Sequence, residues 1–593
     1  MRSRIARAAA MIAAAVLLLP ACGGGSGGSV PTTPTTPPPT TPPTTPPTPP
    51  PIIPAATKAD SFRFLNQATF GATETEAARL IALGDSSNSW SRWIDAELTK
   101  PASLLLPAVE AAYPNPVPSG FNIASLNAPR VEKWFGNVLA GGDLLRQRVA
   151  WALSQIFVVS QVGALQNLPN ATADFYDMLA RDAFGDYRKL LEDVTLHPAM
   201  GIYLSMLGNQ KAVTGTNLRP DENYAREVMQ LMSIGLVELN PDGTVKLDGS
   251  SQPIPTYDQT IIEGFARVFT GWKWTCPTTL PACTFNNTRA ELAPVAGYNQ
   301  VLPMKLYSVQ HETGTKKLLS GVTLPANQTG ERDLQDALDN IAAHPNVAPF
   351  IAKHLIQKLV TSNPSAAYVR RVSDTFNNDG TGRRGNLGAV VRAILLDAEA
   401  RPAVTTASPP VAPGKAKEPL LRLTQFWRAY GAHSASGKTG AARNFSGGVN
   451  AVFGEGPGLS PSVFNFYSPG YAPPGEIQAQ GMVAPEMQLA TEYLNTQVTN
   501  YFWTQANSRT TAQSAGLNVD DMFIDTSEEI AVAADSEALV NRVAERLLGG
   551  AATLSPVLKA QAKAQIERST STNTRVADAI YLLAVSPEYM VQR

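Results

Sequence analysis

Apolar residues recur every three or four positions through most of the chain beyond residue 58, a spacing that predicts helices rather than strands. In DLLRQRVAWALSQIFVVS they fall at Leu144, Leu145, Val149, Ala152, Leu153 and Ile156, one stripe along a helix. DSFRFLNQATFGATETEAARLIALG reads as two helical runs, with a turn at Gly71, an N-cap candidate at Thr73 and a stop at Gly84. DFYDMLARDAFGDYRKLLEDVTLHP, ERDLQDALDNIAAHPNVAPFIAKHLIQKLV, SEALVNRVAERLLGG and TRVADAIYLLAVSPEYMVQR carry the same period. Alternating strand patterns are few, and VTLHPAMGIYL is ambiguous. Gly, Pro and Asn punctuate long loops near residues 101–128, 240–256, 273–310 and 402–418. Residues 431–480 are irregular and rich in Gly, Asn, Pro and aromatics. The pattern therefore predicts an all-α fold: a large multi-helix body over residues 58–593 with long irregular loops and a possible subdivision near residue 405.

The first 57 residues follow another grammar. Arg2, Arg4 and Arg7 precede AAAMIAAAVLLLPAC, an apolar run too short to span a bilayer comfortably, which predicts a signal peptide over residues 1–21. It ends in Leu19-Pro20-Ala21-Cys22, the pattern of a bacterial lipoprotein signal, with Cys22 diacylated as the new N-terminus. A plain secretory signal with an incidental Cys is the simpler alternative. Gly23, where an Asp would favour the inner membrane, points to the outer membrane, on its periplasmic face or at the cell surface. Residues 22–57 form a Gly/Ser and Pro/Thr linker. The tract PTTPTTPPPTTPPTTPPTPPPIIP offers no apolar surface for a core and is expected in extended polyproline II, a disordered stalk reaching about 75 Å at about 3.1 Å per residue.

Composition narrows the classes. The formal net charge of −1 excludes the clustered basic face that a nucleic-acid partner demands. Of three cysteines, Cys22 takes the lipid. Cys276 and Cys283 bracket a short Pro-rich loop and predict a local disulfide in an exported protein; a metal site there lacks two further ligands. No metal or cofactor motif stands out, so none is expected.

Candidate chemistry begins in RPDENYAREVMQLMSIGLVEL. Asp221 suits a helix start, and Glu222 and Arg226, four apart with the acid first, suit a surface pair. Glu222-Asn-Tyr-Ala-Arg226 recurs as Glu263-Gly-Phe-Ala-Arg267, each placing a carboxylate and a guanidinium on one helix face beside a small Ala. If the two helices face each other, two acids and two arginines meet, with Glu227 nearby. Such a cluster is either a structural ion-pair network or a site. In the second case Glu222, Glu227 or Glu263 is the acid/base and Arg226 and Arg267 position an anionic or sugar substrate. Among five histidines, His197 and His344 precede Pro and are expected to bond free helix carbonyls. His311 lies in a loop without partners at ligand spacing. FNNDGTGRRGNLG reads as a turn rather than a calcium loop, because Thr375 and Asn377 stand where the first ligands belong. Trp272, Trp274, Phe464, Phe466, Tyr467 and Tyr471 fall on expected loops, as sugar-stacking surfaces or core anchors.

With these pieces placed, the sequence resembles the bacterial family catalogued as domain of unknown function 1800. The likeness runs through FLNQATFG, ENYAREVMQLMSIGLVELNPDGT, EGFARVFTGW, HETGTKKLLSG, NNDGTGRRGNLGAVVRAILLDAEAR, GKAKEPLLR and SPSVFNFYSPGY, nearly everything from residue 60 onward. The resemblance implies a helical, exported protein and carries no catalytic residues across. Many relatives hold a His where Met232 stands, which argues against an essential catalytic group there. Genes of the family often neighbour a sulfatase-like exported family, domain of unknown function 1501, which implies a partner protein or an extracellular polysaccharide. The expected role is a membrane-tethered binding or assembly factor; the alternative is a hydrolase of envelope or extracellular glycans.

Overall fold

Thr57 accepts the amide of Asp60 and starts α1 (Lys58–Ala68). Gly71 then turns the chain at φ 135°, where an added Cβ would stand 2.4 Å from the Cα of Gln425. Thr73 accepts the amide of Glu76 and opens α2 (Glu74–Ile81), so the expected cap forms. The computed structural model describes residues 56–84, 86–112, 127–275, 300–401, 414–445 and 447–592. The expected signal peptide with Cys22, the Pro/Thr tract and the expected Cys276–Cys283 disulfide lie outside the described residues.

Then follow α3 (Ser86–Leu98), α4 (Leu106–Ala112), α5 (Ala128–Ala140), α6 (Leu144–Ser154) and α7 (Pro169–Asp182). The ambiguous VTLHPAMGIYL is helical: α8 (Tyr187–Leu196) ends at His197 and α9 (Pro198–Tyr203) begins at once, Pro198 serving as first residue of the new helix. Next come α10 (Asn223–Gln230), α11 (Gln259–Val268), α12 (Gly330–Ala343), α13 (Val347–Leu359), α14 (Ala366–Asn377), α15 (Leu387–Leu396) and α16 (Pro419–Ala429). The C-terminal part adds longer helices at Glu492–Ser508, Ser536–Leu548, Pro556–Ile566 and Thr572–Ala584.

The fold is mostly helical, with a small β content. Three two-stranded antiparallel pairs join β1 (Trp272–Lys273) to β2 (Lys305–Leu306), β3 (Lys316–Lys317) to β4 (Thr323–Leu324), and β5 (Lys415–Ala416) to β6 (Val591–Gln592). Residues 236–256, which include the loop expected near 240–256, close into a three-sided knot. Glu238 N donates to Ile254 O (2.8 Å), Ile254 N to Lys246 O (3.2 Å), and Lys246 N back to Glu238 O (2.8 Å). Each segment thus finds partners within the knot, which removes the free edges that short strands otherwise expose.

Two hydrophobic cores lie within one compact unit spanning 53–593. The first is built by residues up to about 400, the second largely by residues 420–589 with α4, α5 and parts of α6 and α7. α6 serves both. Its expected stripe of Leu145, Val149, Ala152 and Leu153 faces the first core, whereas Ala150 and Trp151 belong to the second. Arg146, Gln147 and Arg148 are buried as well, so the polar face of α6 meets protein, not water. Among the described residues no helix is long and apolar enough to cross a membrane.

Candidate functional site

The two Glu-x-aromatic-Ala-Arg elements sit on α10 and α11, and these helices pack together. They meet through the aromatic-Ala face. Tyr224, Ala225, Phe265 and Ala266 are buried, and Tyr224 sets its ring edge-on against Phe269 at 4.9 Å. The charges point elsewhere. α10 starts two residues later than Asp221: that side chain accepts the Asn223 amide (2.8 Å) and Glu222 is the cap residue. Glu222 pairs with Arg226 at 3.0 Å and accepts from Gln259 at 2.9 Å, while Glu263 and Arg267 are exposed and enter no ion pair among the described residues. Four charges therefore do not meet. Gly264 explains why the second copy holds a glycine: a Cβ there would lie 1.8 Å from the carbonyl oxygen of Lys317 in β3.

Glu227 is the exception. It is buried, its Oε2 has no hydrogen-bond partner, and burial raises its carboxyl above the usual range against the pull of Arg226. Beside it the Tyr257 hydroxyl is likewise without a partner, and burial pushes that phenol up to about 12.

One buried charge cluster is not marked by any repetition in the sequence. α6 presents Arg148, Trp151 and Gln155 at spacings of three and four, on one face. α13 contributes Lys358, β5 Lys415, and the start of α16 Glu418; the irregular 431–480 region supplies Glu455, Asn465 and Tyr467, and the 3-10 turn Pro485–Leu489 supplies Glu486. All are buried. Lys415 Nζ pairs with Glu486 at 2.9 Å, lies 3.6 Å from Glu418, and donates to the carbonyls of Gln357 (2.9 Å) and Lys358 (3.0 Å). Arg148 donates to the same Lys358 carbonyl at 2.7 Å. Glu418 Oε2 accepts from Trp151 Nε1 at 2.7 Å and from Gln155 Nε2 at 3.0 Å. Glu455 accepts the Leu420 amide at 2.8 Å, satisfying a free donor at the start of α16. The C-terminus closes the cluster, for Gln592 pairs with Lys415 across β5–β6 and donates to the carbonyls of Leu359 and Val360.

Electrostatics divide this cluster. Burial raises Glu455 well above the usual carboxylate range, and neighbouring Glu418 adds to it. Burial opposes ionisation of Glu418 too, but Lys415, then Arg148 and Lys358, hold it below the ordinary value. Lys358 has no carboxylate at ion-pair distance among the described residues. It rests over the Tyr467 ring at 3.9 Å, and burial outweighs the attraction of Glu418 to bring it down to about 8. Next to the cluster, Lys417 donates to Gln425 (2.8 Å) and burial lowers it to about 7. Trp151 and Phe466 border a cavity of about 20 Å³, room for one water.

The histidines depart from expectation. His197 Nδ1 accepts the Ala199 amide at 3.1 Å, which leaves the proton on Nε2 facing Asp174 at 3.3 Å. His344 Nδ1 accepts the Asn346 amide at 3.2 Å. Both thus open the following segment instead of closing the preceding helix. Arg384 takes the carbonyl role, donating to Ala342 O (3.0 Å) and His344 O (3.2 Å). His311 is buried in a knot with Asp333 (2.8 Å), which Lys316 also meets (2.6 Å). In the Asn378–Asp379 turn, Asp379 accepts from Thr381 and Asn386, and those bonds hold its carboxyl far below the usual range. Of the loop aromatics, Trp272, Trp274, Phe466 and Tyr467 are core anchors, whereas Phe464 is exposed and Tyr471 half-buried.

No curated protein and no solved structure matches the chain. The family model described as Protein of unknown function (DUF1800) matches residues 63–591, and the chain belongs to that family.

Proposed function

We propose that the chain is a cell-envelope lipoprotein, anchored through Cys22, that works by binding a partner protein or an extracellular polymer through the face formed by α10, the 236–256 knot and α11. The observation that carries this reading is the exposure of Glu263 and Arg267 beside the half-exposed Glu222–Arg226 pair. Charges left to solvent on an ordered scaffold are free to meet a complementary surface. Leu236 and Leu247 stand 56% and 55% exposed on the 236–256 knot, apolar points that a partner can cover. The test is co-purification from detergent-solubilised membranes with the product of a neighbouring sulfatase-like gene. Wild type retains it, and Arg267→Glu combined with Leu247→Asp loses it while the fold is kept. Retention by that variant overturns the assignment of the face.

A second reading, hydrolysis of glycans, is favoured by Glu227, because desolvation raises its carboxyl, the direction that a general acid requires. It predicts that Glu227→Gln abolishes release of reducing ends from envelope polysaccharide while partner retention is unchanged.

A further inference from the structure

Three groups meet around the side-chain amide of Gln155, which closes the C-terminal end of α6. The Lys358 amine donates to Oε1 at 2.7 Å, Asn465 Nδ2 donates to the same oxygen at 3.1 Å, and Nε2 donates to Glu418 at 3.0 Å. We infer that this is a modification site, at which Lys358 condenses with Gln155 to form an internal amide cross-link between α6 and α13.

Each contact has a chemical use. The neutral amine attacks Gln155 Cδ, and the C=O electron pair moves onto Oε1. There Asn465 already donates, as a preorganised donor does for an oxyanion. Asn465 is held for this at φ 67°, a left-handed backbone that few side chains adopt. In the adduct both nitrogens share Cδ, so Glu418, which holds Nε2 at 3.0 Å, comes within reach of the attacking nitrogen, takes its proton and passes it to Nε2; the C=O bond re-forms, the Cδ–Nε2 bond breaks, and ammonia leaves. One C–N bond forms and one breaks, Glu418 is regenerated, and neither oxidant nor co-reactant is consumed.

The surroundings select Lys358 rather than Lys415 as the nucleophile. Lys415 is tied to Glu486 and to two carbonyls, whereas Lys358 faces an amide oxygen and the Tyr467 ring. Burial brings Lys358 down to about 8, so a neutral amine is present near physiological pH. Gln155 and Lys358 are themselves buried, with the Tyr467 ring covering the amine. The two residues are 203 positions apart, so the bond closes a large loop that reductants leave intact.

Peptide mapping of the full-length protein from its own membranes, reduced and denatured, decides the matter. Trypsin is expected to yield Val149–Arg181 joined to His354–Arg370, lighter than the two together by one ammonia and uncut after Lys358. On a denaturing gel the wild type runs ahead of Glu418→Gln and Gln155→Met, which lack the proton carrier and the carbonyl under attack. Either variant that retains the wild-type circular dichroism serves as the unlinked control. Separate wild-type peptides at full mass, cut after Lys358, overturn the inference, as does a link that forms to the same extent in folded Glu418→Gln.

Discussion

The cluster around Lys415 and the outer face of α10–α11 are made of the same residue types and behave oppositely. In the first, three cations and three carboxyls are buried: Lys415 meets two of the carboxyls, while Arg148, Lys358, Glu418 and Glu455 are also held by a backbone carbonyl, amides or an indole. In the second, one pair closes across a helical turn and the other acid and arginine face solvent. Charge near water is cheap and replaceable; charge in the interior persists only when surrounding dipoles complete its shell. The doubled sequence pattern therefore reports packing. What repeats between the two elements is the aromatic-Ala face, through which the helices touch, and the charges follow on the outside.

The contrast can be broken by substitution, starting where the effect is largest. Lys415→Met leaves Glu486 and two carbonyls without their donor, and is expected to cost about 3–5 kcal/mol in denaturant unfolding. A pH effect comes next. Folding lowers Lys417 to about 7 from 10.5, so between those values the unfolded chain holds a proton that the folded chain has released. Stability of the wild type should accordingly rise as pH increases through that window, and Lys417→Met should flatten the rise. Gly264→Ala forces a methyl against the Lys317 carbonyl and should cost about 1–3 kcal/mol, seen as a lowered melting temperature. Glu222→Ala removes a solvent-screened pair and an exposed hydrogen bond from Gln259, and its expected cost is about 0.5–1 kcal/mol.

Periodicity made the helices legible, together with the cap at Thr73 and the stop at Gly84, which turns the chain at φ 132° after Glu74–Ile81. Periodicity could not show that α6 is buried on both sides, because Arg148 and Gln155 look like a solvent face until a second core covers them. The knot at 236–256 escaped because its three segments pair among themselves, without the alternation that marks a sheet. The Lys415 cluster was illegible for a related reason. Its charged members come from five separate stretches, and only GKAKEP carries two of them. A signal did exist: charged residues inside otherwise apolar segments, such as Lys358 in HLIQKLV, have no reason to be there unless buried partners await them. His197 and His344 showed that a residue between two helices serves whichever neighbour has free amides.

The central claim is that the α10–α11 face binds while the buried cluster holds the body together. Its most direct test is Arg267→Glu alone, with partner retention and melting temperature measured on the same detergent-purified sample. The account predicts that retention falls at least tenfold, about 1.4 kcal/mol, while stability stays within about 0.5 kcal/mol of wild type. Full retention with an unchanged melting temperature would contradict it.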